Sequence, residues 1–378
     1  MHLILSSLLV LCGTLPSIGA PVCQDTHKDQ DDGPPLVADD ARGVLIEGAL
    51  HPFDRLPDTL GKPARAALDH VRGWCEQNAK IAALDTRERF VLVVDAKDRR
   101  ARRRMEAALS TADWFDAHLP PPSLADATKE SELATAIVHI VRDESEQARL
   151  LDHIVAKQTT LKEWSKSARK KPGFVLYDPL LIAVLLKPKG VVRWNADHDL
   201  INRLAQLFVE RRFGVQPDWL GLGVGWCAEW RVDAEIHCFP NREDAVQRAE
   251  HGAWANEIKR ECGKRVAADG TVAPILAAEL SVCRRGAWNG LGSKRAFGVT
   301  SFLLSRNPQE VADALHELRR AREEAARAAT TPVPDDFELA PEAIDLVLAK
   351  RLGEDWRARA TSWIAEGHIP QSKSVARD

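Results

Sequence analysis

The stretch NADHDLINRLAQLFVERRFGVQPDWLGLGVGWCAEW, residues 195–230, decides how the chain is read. Within it Leu200, Leu204, Leu207, Phe208 and Arg211 recur at i, i+4, i+7, i+8 and i+11. That spacing is one apolar stripe of a helix ending in a charge, and Gly214 supplies a C-terminal stop. The following PDWLGLGVGWCAEWRVDAEIHCF (217–239) is expected to form a second helix. Gly221, Gly223 and Gly225 each cost it about 1 kcal/mol relative to Ala. Three glycines at alternate positions imply that another backbone passes close by.

Upstream, the pattern changes from helical to mixed. RFVLVVDA (89–96) and ELATAIVHIVRD (132–143) read as strands, each followed by a helix, RRARRRMEAALSTADWFDAHL (99–119) and ESEQARLLDHIVAK (144–157). GFVLYDP (173–179) and IAVLLKP (182–188) are two further short strands about a turn. Downstream, SKRAFGVTSFLLSRN (293–307) is a buried helix and NPQEVADALHELRRAREEAARAA (307–329) a long charged one, and APEAIDLVLAKRLGEDWRARATSWIAEG (340–367) closes the chain with helices. The expected class is α+β: a small mixed sheet with helices (41–195) packed on a mainly helical half (196–370).

The 378 residues are 45% hydrophobic and 28% charged, with net charge −3, as in a globular protein of one large domain or two modest ones. A charge so near zero argues against nucleic acid as a partner, and the basic run Arg99–Arg104 is read as a solvated helix face. The start MHLILSSLLVLCGTLPSIGA has the length of a signal peptide (1–19), with Ser17 and Gly19 before a cleavage at Ala20, and an acidic, disordered leader (20–40) follows. No other stretch reaches the ~18 apolar residues of a membrane span. The expectation is export, to the periplasm, the cell envelope or the medium. In such a compartment Cys23, Cys75, Cys227, Cys238, Cys262 and Cys283 are expected to include a disulfide, with 15 pairings open to six cysteines.

The chemistry lies in HDLIN. Two imidazoles at i and i+4 of a helix converge on one zinc ion, a glutamate between them activates the zinc-bound water, and a later helix brings a third ligand. Here the first of these positions is His198, the base position is Asp199, and the i+4 position is Asn202. Phe213-Gly214, Pro217, Trp219-Leu220 and Gly223 follow in order.

With these residues, the window 198–229 resembles the gluzincin zinc metallopeptidases (HExxH…E, peptidase MA-like), closest to the exported bacterial branch with an FG…P-x-WL-x-EG-x-A segment. Later pieces, AWNGLGSKRAFGVTSFLLSRNPQEVADALHEL and DDFELAPEAIDLVLAKRLGEDWRARATSWI, extend the resemblance over roughly residues 88–365. It implies a zincin-like fold. It also implies that the metal site is degenerate. His198 is the sole surviving ligand position, because Asn202 and Leu222 stand where the second His and the Glu belong. Asp199 replaces the general-base Glu with a side chain one methylene shorter, and a retraction of that kind costs on the order of a hundredfold. A neutral amide and a hydrocarbon do not hold zinc.

The leading expectation is therefore a secreted pseudopeptidase without a cofactor, whose inherited cleft, lined by Trp219, Trp226 and Trp230, binds a polypeptide or protein partner. One alternative is an active zinc metallopeptidase rewired around His198 and Asp199 with Glu229, His237, His251 or His153. Another is a structural envelope protein. Cys227 reads as a buried or bonded cysteine in preference to a nucleophile.

Overall fold

The computed structural model describes residue 36 and residues 42–123, 133–189, 194–233, 235–237, 253–284, 289–330 and 337–369. The expected signal peptide, the expected leader apart from Leu36, and Cys23, Cys238, His251 and Trp288 lie outside the described residues.

The strand Phe90–Asp95 (β4) shows how the sheet is buried. Its side chains alternate, so Phe90, Leu92 and Val94 enter one apolar core while Val91 and Val93 enter another. Both faces are dry, which is why the strand reads as an unbroken apolar run. Around it stand β1 (Gly43–Ile46), β2 (Ala49–His51), β3 (Lys80–Leu84), β5 (Ala136–Val141), β6 (Phe174–Tyr177) and β7 (Leu180–Leu185), in the order β2-β1-β3-β4-β5-β7-β6. Pairing is mixed: β1–β3, β4–β5 and β5–β7 are parallel, and β1–β2, β3–β4 and β6–β7 antiparallel.

One face of the sheet is covered by α1 (Lys62–Asn78), α3 (Glu144–Lys157) and α4 (Lys162–Ala168), through Leu68, Val71, Trp74, Leu150, Leu151 and Ile154. The other carries α2 (Ala101–His118) and α5 (Ala196–Phe213). Beyond α5 the described chain is helical: α6 (Asp218–Asp233), α7 (Ala253–Gly263), α8 (Ala277–Ser281), α9 (Gly290–Leu304), α10 (Pro308–Ala328), α11 (Pro341–Leu352) and α12 (Trp356–Glu366), with one isolated bridge, Val266–Val272. The expected mixed sheet and mainly helical second half are both present. A single apolar core runs from the sheet through α5 and α6 into α9 and α12, so the two halves share their interior.

Four elements before β4 were not foreseen: β1, β2, α1 and β3. With them the sheet grows to seven strands and acquires a second covered face.

Helix α5 departs from a one-sided stripe. Leu200, Leu204, Leu207 and Phe208 are buried as expected, and so are Ile201, Ala205 and Val209, because the helix lies between β7, β5, β6, α2 and α6. Gly223 and Gly225 of α6 meet their neighbours closely, as the alternate spacing implied. A Cβ on Gly225 would lie 2.9 Å from Asn202 Nδ2 and 3.1 Å from the Asn202 carbonyl oxygen, and one on Gly223 would strike the Thr300 side chain of α9.

Candidate functional site: a buried polar corner between two helices

Asn195 opens α5, its side chain accepting from the backbone N–H groups of Asp197 (3.0 Å) and His198 (3.3 Å). Asp197 faces the basic run of α2, 3.1 Å from Arg103 Nε and 3.5 Å from Arg104 Nε. That run is therefore only in part a solvated face, since Arg104 is buried and paired with Asp98 and Asp197. The carboxylate also suits the positive end of the helix.

The next turns of α5 carry polar groups into the interior. His198, Asp199, Asn202, Arg203 and Gln206 are all buried, at spacings that make i,i+4 partners. Asp199 and Arg203 form one such pair, Oδ1 to Nε at 2.6 Å, and Arg203 Nη2 also donates to the Pro172 carbonyl at 3.4 Å. Asp199 Oδ2 would lie 3.5 Å from a Cβ on Gly173, at the entry to edge strand β6. Its neighbour in sequence turns the other way. His198 Nδ1 lies 3.1 Å from Glu229 Oε2 of α6.

Glu229 is the hub. It is fully buried, accepts from Asn202 Nδ2 at 2.6 Å, and accepts from the backbone N–H of His237 at 2.7 Å. Asn202 in turn accepts from Gln206 Nε2 at 2.6 Å. Burial pushes the Glu229 carboxyl above its ordinary range, and the bonds from His198, His237 and Asn202 oppose that rise. A satisfied chain of this kind is worth more than its parts, because each buried group that lost its partner would bear a desolvation cost of about 1–3 kcal/mol.

The His237 bond draws the segment after α6 back over the corner. His237 comes within 4.2 Å of His198, centroid to centroid, with the rings tilted by 43°. Glu235 Oε2 lies 2.8 Å from His237 Nε2. One ligand atom each from His198, Glu235 and His237 falls within 4.8 Å of the others. This is the set among the described residues that could hold a metal ion.

The structure thus brings together His198 and Asn202 and adds Glu229. Leu222 is buried hydrocarbon, seven residues before Glu229, or about 10 Å back along the helix axis. The helix position that meets the HDLIN turn is Glu229. Asp199, expected at the base position, faces Arg203 and Gly173 on the sheet side. His237, one of several residues considered for rewiring, reaches the corner. His153 does not; it lies under the sheet against Trp74 of α1. Glu235 was missed, and its signal was the spacing Glu-x-His directly after a helix.

The tryptophans expected to line a cleft are core residues, with Trp219, Trp226 and Trp230 only 3%, 0% and 5% exposed. Trp226 packs edge-on against Trp254, and Trp230 against Phe297. Trp219 forms one wall of a pocket with Leu280, Ile344, Leu348 and Trp356. Their large apolar area is what the helical half uses to cohere. Among the described residues, Cys75, Cys227, Cys262 and Cys283 are separate buried thiols and none bonds another, each pushed up to about 12 by burial. Cys227 sits 3.3 Å from Ser301 Oγ, and a thiol so held is no nucleophile.

No family model, curated protein or solved structure matches the chain.

Proposed function

We propose that the protein is a non-catalytic relative of the zinc metallopeptidases, a pseudopeptidase in which the helix pair α5–α6 persists and the hydrolytic site has become a structural corner. The observation that carries the reading is that both positions needed for hydrolysis are tied into the protein interior. Asp199 is held by Arg203, and Asn202 is held between Glu229 and Gln206. A general base must reach a water within about 3 Å, and Asp199, paired through Oδ1 with Arg203, turns its other oxygen toward Gly173 and the sheet, away from Glu229 and His237. The resemblance of residues 198–229 supports the scaffold. An exported protein with this corner would act through binding or architecture. Because Trp219, Trp226 and Trp230 are buried, they are not offered as its polypeptide-binding surface.

The test is turnover of a mixed fluorogenic peptide set by the purified full chain, with added zinc and with a chelator. No rate above background is expected in either case. Zinc-dependent turnover that disappears in Asp199→Asn would overturn the reading.

A further inference from the structure

The ligand positions implied by the resemblance do not fit a metal, yet one of them, His198, has acquired new neighbours. We propose that His198, Glu235 and His237 form a binding site for a divalent transition-metal ion of the zinc type. The site is assembled from the first turn of α5 and the segment following α6.

Three features of the geometry point there. First, two imidazoles and a carboxylate are a donor set that suits zinc, cobalt or nickel, and three protein ligands leave a fourth position for water. Second, the donors already converge within 4.8 Å. Tetrahedral zinc, with bonds of about 2.0–2.1 Å, holds its donors about 3.4 Å apart, so small side-chain adjustments, of about 1 Å or less, would bring the set to that spacing. Glu235 makes such movement cheap, since its side chain is 46% exposed, whereas that of His237 is only 12% exposed. Third, Glu229 stands behind the site as metal centres require. It lies 3.1 Å from Nδ1 of His198, so that Nε2 is the ring nitrogen placed to coordinate, and it fixes His237 through the backbone N–H. A carboxylate behind a ligating histidine orients the ring and raises its basicity.

Asp199 takes no part in this site, because its carboxylate lies on the sheet side of α5, paired with Arg203. The metal would therefore tie the segment 235–237 to α5 without a base beside its water.

Titration of the metal-free full chain with zinc chloride in a calorimeter is the test, with cobalt chloride as a spectroscopic probe. One ion per chain is expected, and the cobalt form should show the visible bands of a tetrahedral N/O site. His237→Asn should weaken binding at least 100-fold and Glu235→Gln about 10-fold or more. Glu235 is half-exposed and outside the helices, so Glu235→Gln is expected to leave the apo melting temperature unchanged, and apo melting of His237→Asn separates lost binding from lost packing. Glu229→Gln should weaken binding 10–100-fold. His153→Gln, on the far side of the sheet, should bind as the wild type does. Absence of binding, or an affinity unchanged in His237→Asn, overturns the proposal and leaves the non-catalytic reading intact. Zinc binding accompanied by peptide turnover would do the reverse.

Discussion

Two glutamates are buried on opposite sides of the sheet, and they are compensated differently. Glu146 of α3 meets the ammonium of Lys80 at 2.6 Å and the backbone N–H of Arg142 at 2.8 Å. Glu229 of α6 meets an imidazole, a side-chain amide and a backbone N–H. The first carboxylate has its counter-ion built in. The second is surrounded by hydrogen-bonding groups, and two of the bonds just named go to residues of the proposed metal site. One corner is a permanent structural ion pair. The other is a hydrogen-bonded network beside the proposed cation site.

The largest expected effect comes from breaking the self-contained pair. Lys80→Met leaves Glu146 charged and buried, and should cost about 3–5 kcal/mol in urea denaturation. The double variant Lys80→Met/Glu146→Leu should recover most of that loss. A double variant as unstable as the single one would show that the pair is more than mutual compensation.

At the other corner the losses should be smaller, because Glu229→Gln removes the buried carboxylate and does not leave a charge stranded. Glu229→Gln keeps the shape but turns an acceptor into a donor facing Asn202 or His237, and is expected to cost about 1–3 kcal/mol. Gly225→Ala should cost a similar amount, since its Cβ would press within 3.1 Å of the Asn202 carbonyl and the backbone of α5 would have to move. If either variant matches Lys80→Met in cost, the contrast between the corners fails.

Acid should act first on the sheet side. His139 of β5 is held well below its ordinary value by burial and then by the nearby charges of His70, Lys80, His153 and Lys157. Burial, with Lys157 next in weight, lowers His70 to about 4. Both are neutral when folded and protonate near 6.5 when unfolded, so the unfolded state binds more protons below that pH. Stability should therefore fall as pH drops from about 6.5 toward 4, at up to about 1.4 kcal/mol per pH unit for a fully buried histidine. Denaturation midpoints at pH 7 and pH 5 measure it, and His139→Phe should flatten the dependence. A profile as steep in that variant would place the titrating group elsewhere.

The smallest effect tests local packing. Gly73 lies mid-helix in α1, and the nearest atom to its added Cβ is His153 Cε1 at 3.7 Å, an ordinary contact. Gly73→Ala should therefore stabilise the chain by about 0.5–1 kcal/mol, opposite in sign to Gly225→Ala. A destabilised Gly73→Ala would mean that α1 packs more tightly than it appears.

Legibility in the sequence followed range. β4, α3, α9 and α10 are written in local pattern and stand within a few residues of where periodicity puts them. β3 is KIAAL, with two alanines and a leading lysine; it becomes a strand by pairing between β1 and β4, and nothing in its own composition says so. At the site, His198, Asp199 and Asn202 were legible together because one helical turn carries them. That Glu229 faces them, and Leu222 does not, depends on how two helices slide against each other, which a resemblance of short motifs does not specify. Glu235 was further out of reach, since its place follows from the capture of the His237 N–H by Glu229. The tryptophans misled for a related reason: a large aromatic fits a cleft or a core equally well on paper, and the packing of α7 and α9 against α6 decided for the core.

The difference between the two corners is tested most directly by diffraction from crystals of the full chain soaked in zinc, with anomalous signal recorded at the zinc edge. One peak is predicted among His198, Glu235 and His237, with Asn202 outside the coordination sphere and none beside Lys80 and Glu146. A peak ligated directly by Glu229 and Asn202, or no peak at the α5–α6 corner, would contradict the account.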